Sequence, residues 1–78
     1  MTNEQFWVAL QIGFNDFTND EVTFPLPPPF DENDMTSEGS LLSQHSYEFG
    51  IMSAREGFEL NREELDYYIE EVRYSTGL

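Results

Sequence analysis

Negative charge is the feature that most restricts how this chain can fold. Sixteen aspartates and glutamates are set against three arginines and no lysine, which gives a net charge of −13 over 78 residues. At most three of the sixteen carboxylates can therefore pair with an arginine inside the molecule. The others must lie at the surface, where they repel one another and oppose a compact state. Such a surplus either provides solubility or promotes association with a cationic partner.

The rest of the composition is that of a folded domain. Hydrophobic residues make up 38% of the chain and aromatic residues 15%, which is more than disordered acidic segments carry. The length predicts a single domain, residues 1–78, with a small core. The aromatic content also favours a homodimer, because so short a monomer has little interior in which to bury it.

The first segment has two conflicting periodicities. Thr2 and Gln5 have the spacing of a capping box, and large apolar residues then recur along one helical stripe, namely Phe6, Leu10, Phe14 and Phe17. Large apolar residues also occupy every second position over residues 6–14, as in a half-buried strand, namely Phe6, Val8, Leu10, Ile12 and Phe14. The cap and the segment length favour a helix near residues 3–17. The strand remains open, with an α+β fold as the alternative.

A proline run interrupts the middle of the chain. Four prolines lie between Phe24 and Phe30, where they fix φ and remove backbone N–H donors. We predict an irregular, proline-rich connection over residues 18–39 that packs across the helices.

Helical spacing returns on both sides of Gly57. Over residues 40–56 an apolar stripe is joined by a row of small residues that permits close approach of another helix. The stripe is Leu42, His45, Phe49 and Met52, and the row is Gly50, Ala54 and Gly57. Gly57 is also suited to cap the C-terminus of this helix. Near residues 62–74, Asn61 is placed to cap a helix whose inward stripe is Leu65, Tyr68, Ile69 and Val72. The fold class predicted is mostly α, a small three-helix domain.

The residue types that support catalysis or metal binding are scarce. The chain has no cysteine, no lysine and one histidine, His45, which the spacing predicts to be packed or hydrogen-bonded. The acidic run at residues 31–34 does not fit a calcium loop, because Met35 and Thr36 fall where a ligand and a glycine are required. We therefore expect a non-enzymatic protein with no cofactor, no metal and no catalytic residue.

The expected compartment is the cytoplasm. No secretion signal opens the sequence, and no apolar run reaches the length that spans a bilayer. Anionic lipid head groups would also repel this surface, which argues against a membrane partner.

Acidic residues are the candidates for partner binding. Direct binding to nucleic acid requires clustered lysine and arginine, which three separate arginines do not supply. An acidic helix can instead imitate nucleic acid. Its carboxylates one helical turn apart, about 5.4 Å, are spaced on the scale of successive phosphates. The predicted partner-binding residues are Glu63, Glu64, Asp66, Glu70 and Glu71 on the third helix, with Asp31, Glu32 and Asp34 in the connection.

In size, acidity, lack of lysine and aromatic content, the chain resembles small phage-encoded inhibitors, among them DNA-mimic anti-restriction and anti-CRISPR proteins. The resemblance is one of overall character, so it assigns no functional residue. It implies a protein that blocks a nucleic-acid enzyme in the host cytoplasm by occupying its basic channel. The alternative is a small adaptor or assembly protein that binds through its apolar and aromatic face, with Trp7, Phe24 and Phe30 as the residues that matter most.

Overall fold

The computed structural model describes residues 2–22 and 37–77, and these residues form helices and no strand. Helix α1 is Asn3–Thr18, α2 is Ser37–Glu56 and α3 is Leu65–Thr76, with a single 3-10 turn at Arg62–Glu64 immediately before α3. The mostly α prediction is confirmed, and residues 6–14 are helical. Most of the predicted 18–39 connection, including its proline run, lies outside the described residues.

The capping predictions are confirmed at atomic level. The Gln5 amide donates to the Thr2 hydroxyl at 3.1 Å, and the Thr2 amide donates to the Gln5 side-chain carbonyl at 2.8 Å. Asn61 accepts from the Glu63 amide at 3.0 Å, which starts the 3-10 turn. These contacts satisfy N–H groups that have no partner within the helix.

Helix boundaries differ from the predicted ones by a few residues. α2 begins at Ser37 rather than near residue 40, so its first turn accommodates Gly39. α3 continues to Thr76, two residues past the predicted end near residue 74. Gly77 ends that helix in a left-handed conformation, with φ of +77°, and the Thr76 hydroxyl donates to the Arg73 carbonyl at 2.9 Å.

The hydrophobic core draws on all three helices. Its buried members are Phe6, Leu10, Leu42, Leu65, Tyr68, Ile69 and Val72, with Trp7, Phe49 and Leu60 packed against them. The whole predicted stripe of α3 is therefore buried. The stripe of α1 is buried only at its beginning, since Phe17 is 38% exposed.

Helices α1 and α2 cross with their backbones in contact at two glycines. A Cβ built on Gly13 would lie 2.9 Å from the carbonyl carbon of Tyr47, and one built on Gly50 would lie 2.8 Å from the amide nitrogen of Phe14. The small-residue prediction is confirmed at Gly50, whereas Gly57 lies beyond the helix end, where a Cβ built on it would meet no atom within 4 Å.

Helix α2 buries two different faces. Small residues and Tyr47 face α1, where the Tyr47 hydroxyl donates to a carboxylate oxygen of Asp16 at 2.9 Å. The other face meets α3, where the rings of Phe49 and Tyr68 have centroids 5.5 Å apart. The predicted stripe describes this second face, and its last member, Met52, is 43% exposed.

Within residues 2–22 and 37–77, no buried side-chain nitrogen or oxygen lacks a hydrogen-bond partner. No helix in this part of the chain combines the length and apolarity that crossing a membrane requires.

Candidate partner-binding surface

The predicted acidic residues of the third helix all lie at the surface. Burial of the apolar stripe of α3 turns the remaining positions outward, because side chains on a helix repeat every 3.6 residues. Glu63, Glu64, Asp66, Glu70 and Glu71 are accordingly exposed. The other predicted candidates, Asp31, Glu32 and Asp34, lie outside the described residues.

Tyrosines divide these acids into two sets. Tyr67 and Tyr74, seven residues apart, are 57% and 88% exposed. Glu64 and Glu71, also seven apart, face a groove between α3 and α2. The other three acids lie away from that groove at spacings of three and four residues, and we call them the outer row: Glu63, Asp66 and Glu70.

The groove runs between the C-terminal half of α2 and α3, and we call it the α2–α3 groove. It encloses about 560 Å³. Its apolar lining comes from Phe49, Met52, Phe58, Tyr67 and Tyr68, of which Phe58 is the most exposed at 68%. Carboxylates from three elements also line it, namely Glu56, Glu59, Glu64 and Glu71.

The end of α2 places Phe58 in this groove. The Phe58 amide donates to the Ser53 carbonyl at 2.8 Å and the Gly57 amide donates to the Ala54 carbonyl at 3.2 Å, which is a Schellman cap. Gly57 has a φ of +80°, a conformation that glycine adopts without strain. The sequence predicts Gly57 as a cap. It does not predict that Phe58 lines a groove, because its only signal there is a phenylalanine between a glycine and a glutamate.

All three arginines have partners within the chain. Arg62 forms a two-point ion pair with Glu4, and its guanidinium lies 5.6 Å from the centroid of the Trp7 ring. The hydrogen bond from Arg62 lowers the pKa of the Glu4 carboxyl below its ordinary value. Arg73 lies 5.5 Å from the centroid of the Phe6 ring.

The third arginine, Arg55, pairs with its neighbour Glu56 at 3.5 Å, and both side chains are more than half exposed. Among the described residues, no acid of the outer row takes part in an arginine ion pair. The charge of α3 is thus directed at solvent, while Arg62 and Arg73 contact residues of α1.

His45 lies in a contact between α2 and α3. Its Nδ1 atom is 2.8 Å from the Ser75 hydroxyl, and Glu48 lines the same small hollow of about 160 Å³. A serine beside a histidine suggests a nucleophile with its base. Ser75, however, lies in the last turn of α3, where the free backbone groups are carbonyls and the helix dipole is negative. A developing oxyanion would be destabilised there, so we interpret the pair as an interhelical link, as the sequence predicts for His45.

Within the described part of the chain, no group of three or more acidic or histidine side chains is placed to hold a metal ion. Comparison with known proteins found no match, whether to a family model, to a curated protein or to a solved structure. We therefore infer a function from the geometry of this surface.

Proposed function

We propose that this protein binds a basic cleft of a nucleic-acid-handling protein and inhibits it, with the carboxylates of α3 taking the place of phosphates. The observation that supports the proposal most directly is the outer row. It consists of three exposed acids, Glu63 in the 3-10 turn and Asp66 and Glu70 on α3, and none of them has an arginine partner among the described residues. The overall likeness to anti-restriction and anti-CRISPR inhibitors is in agreement.

Geometry favours such a role over simple solubility. Asp66 and Glu70 are separated along the helix axis by about 6 Å, four residues at a rise of about 1.5 Å each. The helix that carries them is fixed by four buried residues, so few backbone degrees of freedom are lost on binding. A negative surface also steers a basic partner into encounter and raises the association rate.

The experiment compares two variants that lose the same charge at different places. The outer-row variant carries Glu63→Gln, Asp66→Asn and Glu70→Gln. The control variant replaces exposed acids away from α3, with Asp20→Asn, Glu21→Gln and Glu48→Gln. Each immobilised protein is incubated with bacterial lysate at low salt, with and without duplex DNA, and bound proteins are eluted with a salt gradient and identified.

We expect the wild type and the control to retain DNA- or RNA-binding proteins that added duplex displaces, and the outer-row variant to lose them. Affinity for a captured protein should fall about tenfold or more between 0.05 and 0.2 M salt, because exposed charge pairs are screened over this range. Equal capture by the two variants, or complexes that persist in molar salt, would contradict the proposal.

A second candidate is an adaptor that binds through aromatic side chains, alone or as a homodimer. The exposure of Phe58, Tyr67 and Tyr74 favours it. Of the residues first considered for this role, Trp7 is partly buried against the core beneath Arg62, and Phe24 and Phe30 lie outside the described residues. Capture that is insensitive to salt, or a molar mass twice that of the chain by light scattering, would support this function instead.

A further inference from the structure

The α2–α3 groove differs from the rest of the acidic surface because it combines depth, exposed aromatic faces and negative charge. The outer row offers carboxylates on a convex helix face. The groove offers about 560 Å³ of space beside Phe58 and Tyr67, which are both more than half exposed. Large apolar side chains are usually buried, so aromatics held open beside a concavity mark a surface that can accept a ligand group.

The groove is held open by contacts that do not involve a ligand. The Schellman cap fixes the chain direction at Phe58. The Tyr68 hydroxyl accepts from the Asn61 amide at 2.9 Å, which ties the loop to α3, and the Phe49 ring packs on Tyr68. A binding site formed in advance costs less ordering on association.

The negative charge at the groove favours a positively charged ligand group. Glu59, Glu64 and Glu71 approach it from the loop, the 3-10 turn and α3, and Glu56 adds a fourth carboxylate that Arg55 partly compensates. An acidic or purely apolar side chain would leave these carboxylates without a partner or remove them from water at a cost. A cation with an apolar, planar surface fits both the carboxylates and the rings.

Arginine meets that description better than lysine. Its guanidinium stacks on aromatic faces and donates hydrogen bonds in a planar fork, whereas the lysine ammonium is compact and strongly hydrated. The chain itself shows this pairing, because Arg62 lies 5.6 Å from the Trp7 centroid and Arg73 lies 5.5 Å from the Phe6 centroid. The groove presents the same kinds of aromatic and acidic groups. Among the described residues, no arginine lies over its rings.

We propose that the α2–α3 groove receives an arginine side chain from an exposed segment of the basic partner. The inference rests on the proposed function, and it adds the residue type that anchors the partner and the place where it is held. The outer row then supplies long-range attraction, and the groove supplies the specific contact.

The test uses short blocked peptides, Gly-Arg-Gly-Arg-Gly and its lysine and citrulline counterparts, titrated into isotope-labelled protein at low salt and followed by NMR. Matched pairs of variants separate the groove from general charge: Tyr67→Ala with Tyr74→Ala, and Glu71→Gln with Glu21→Gln. All four side chains are exposed, so the fold should be retained, and the amide spectrum of each variant verifies this.

We expect the arginine peptide to bind about fivefold or more tightly than the lysine peptide, as stacking on aromatic rings predicts. The citrulline peptide should not bind. Shifts should concentrate at Met52, Phe58 and Tyr67. Tyr67→Ala should weaken binding about tenfold and Glu71→Gln severalfold, while Tyr74→Ala and Glu21→Gln should each change it less than about twofold.

Equal affinity for arginine and lysine peptides, with equal effects within each pair of variants, would overturn the inference. The proposed function would then still stand if the outer-row variant lost its partners in the lysate experiment. Shifts at Phe58 and Tyr67 that depend on protein concentration without peptide would show that a second copy occupies the groove, which would also overturn it.

Discussion

Replacing Gly50 with alanine tests the packing on which the arrangement of helices depends. In an exposed helix interior this change is stabilising, by about 0.8–1 kcal/mol, because alanine loses less backbone entropy than glycine. At Gly50 the added methyl would lie 2.8 Å from the Phe14 amide nitrogen and closer still to the Leu10 carbonyl oxygen. Both are backbone atoms of α1, so no side-chain rotation can relieve the contact.

The steric term should exceed the propensity term. Adding a methyl group to a well-packed interior costs about 1–3 kcal/mol, and the upper part of that range applies when a helix must move. Subtracting the propensity gain leaves a net loss of about 1–2 kcal/mol. For a domain of this size each kcal/mol lowers the melting temperature by about 4–8 °C, so Tm should fall by about 5–15 °C.

Thermal and urea unfolding followed by far-UV circular dichroism measure this loss. Gly13→Ala should also destabilise, because its methyl would meet the Tyr47 carbonyl from the opposite helix. The double variant should lose less than the sum of the single variants, since helices already separated by one methyl have room for the second. Gln44→Ala, at an exposed position of α2, is the control and should change stability by only a few tenths of a kcal/mol.

A higher Tm for Gly50→Ala would refute the reasoning. It would mean that the propensity gain is realised in full, and therefore that α1 and α2 do not approach to backbone contact at this position. An additive double variant would likewise show that Gly13 and Gly50 do not share one crossing point.

Three further predictions concern polar contacts and charge. Tyr47→Phe should lower the free energy of unfolding in urea by about 1–2 kcal/mol, because it removes the hydroxyl bonded to Asp16. Tyr74→Phe is the control and should leave that free energy unchanged, so an equal loss in both variants would contradict the prediction. Arg62 lowers the pKa of the Glu4 carboxyl in the folded state. The ion pair between them therefore stabilises the fold above pH 4.5, the ordinary pKa of the carboxyl, and this stabilisation is lost as pH falls below that value. The Tm difference between wild type and Glu4→Gln should therefore shrink from pH 7 to pH 3, and a constant difference would exclude the linkage. Sodium chloride should raise the urea midpoint, because it screens the repulsion among surplus carboxylates, and a decrease would show that the attractive ion pairs dominate.

The helices could be predicted from the sequence where one periodicity determines one buried face. Leu65, Tyr68, Ile69 and Val72 are buried as their spacing predicts, and Thr2 and Asn61 cap as their positions predict. These features depend on residues near one another in the chain. Local spacing is sufficient for them because a helix repeats regularly and its ends need nearby acceptors.

The second face of α2 could not be found in this way. Its contact with α1 uses Gly50 and Tyr47, and a glycine or a hydrogen-bonded tyrosine contributes little to a hydrophobic periodicity. Tyr47 is fully buried, yet its importance depends on Asp16, which lies 31 residues earlier in the chain. The α2–α3 groove escaped prediction for the same reason, since it exists only where the loop at Phe58 meets two helices.

The same packing places the contacts that stabilise this acidic chain apart from the acids proposed to bind a partner. Close contact at Gly13 and Gly50 and the hydrogen bond from Tyr47 to Asp16 hold α1 against α2. Arg62 and Arg73 add attraction where the 3-10 turn and α3 meet α1. The outer row of α3 contributes repulsion and no contact to this core, so its neutralisation should stabilise the fold slightly. If those acids served the fold, neutralising them would weaken it. A variant that becomes more stable while it loses its partner therefore separates the two roles, because a purely structural residue cannot produce both effects.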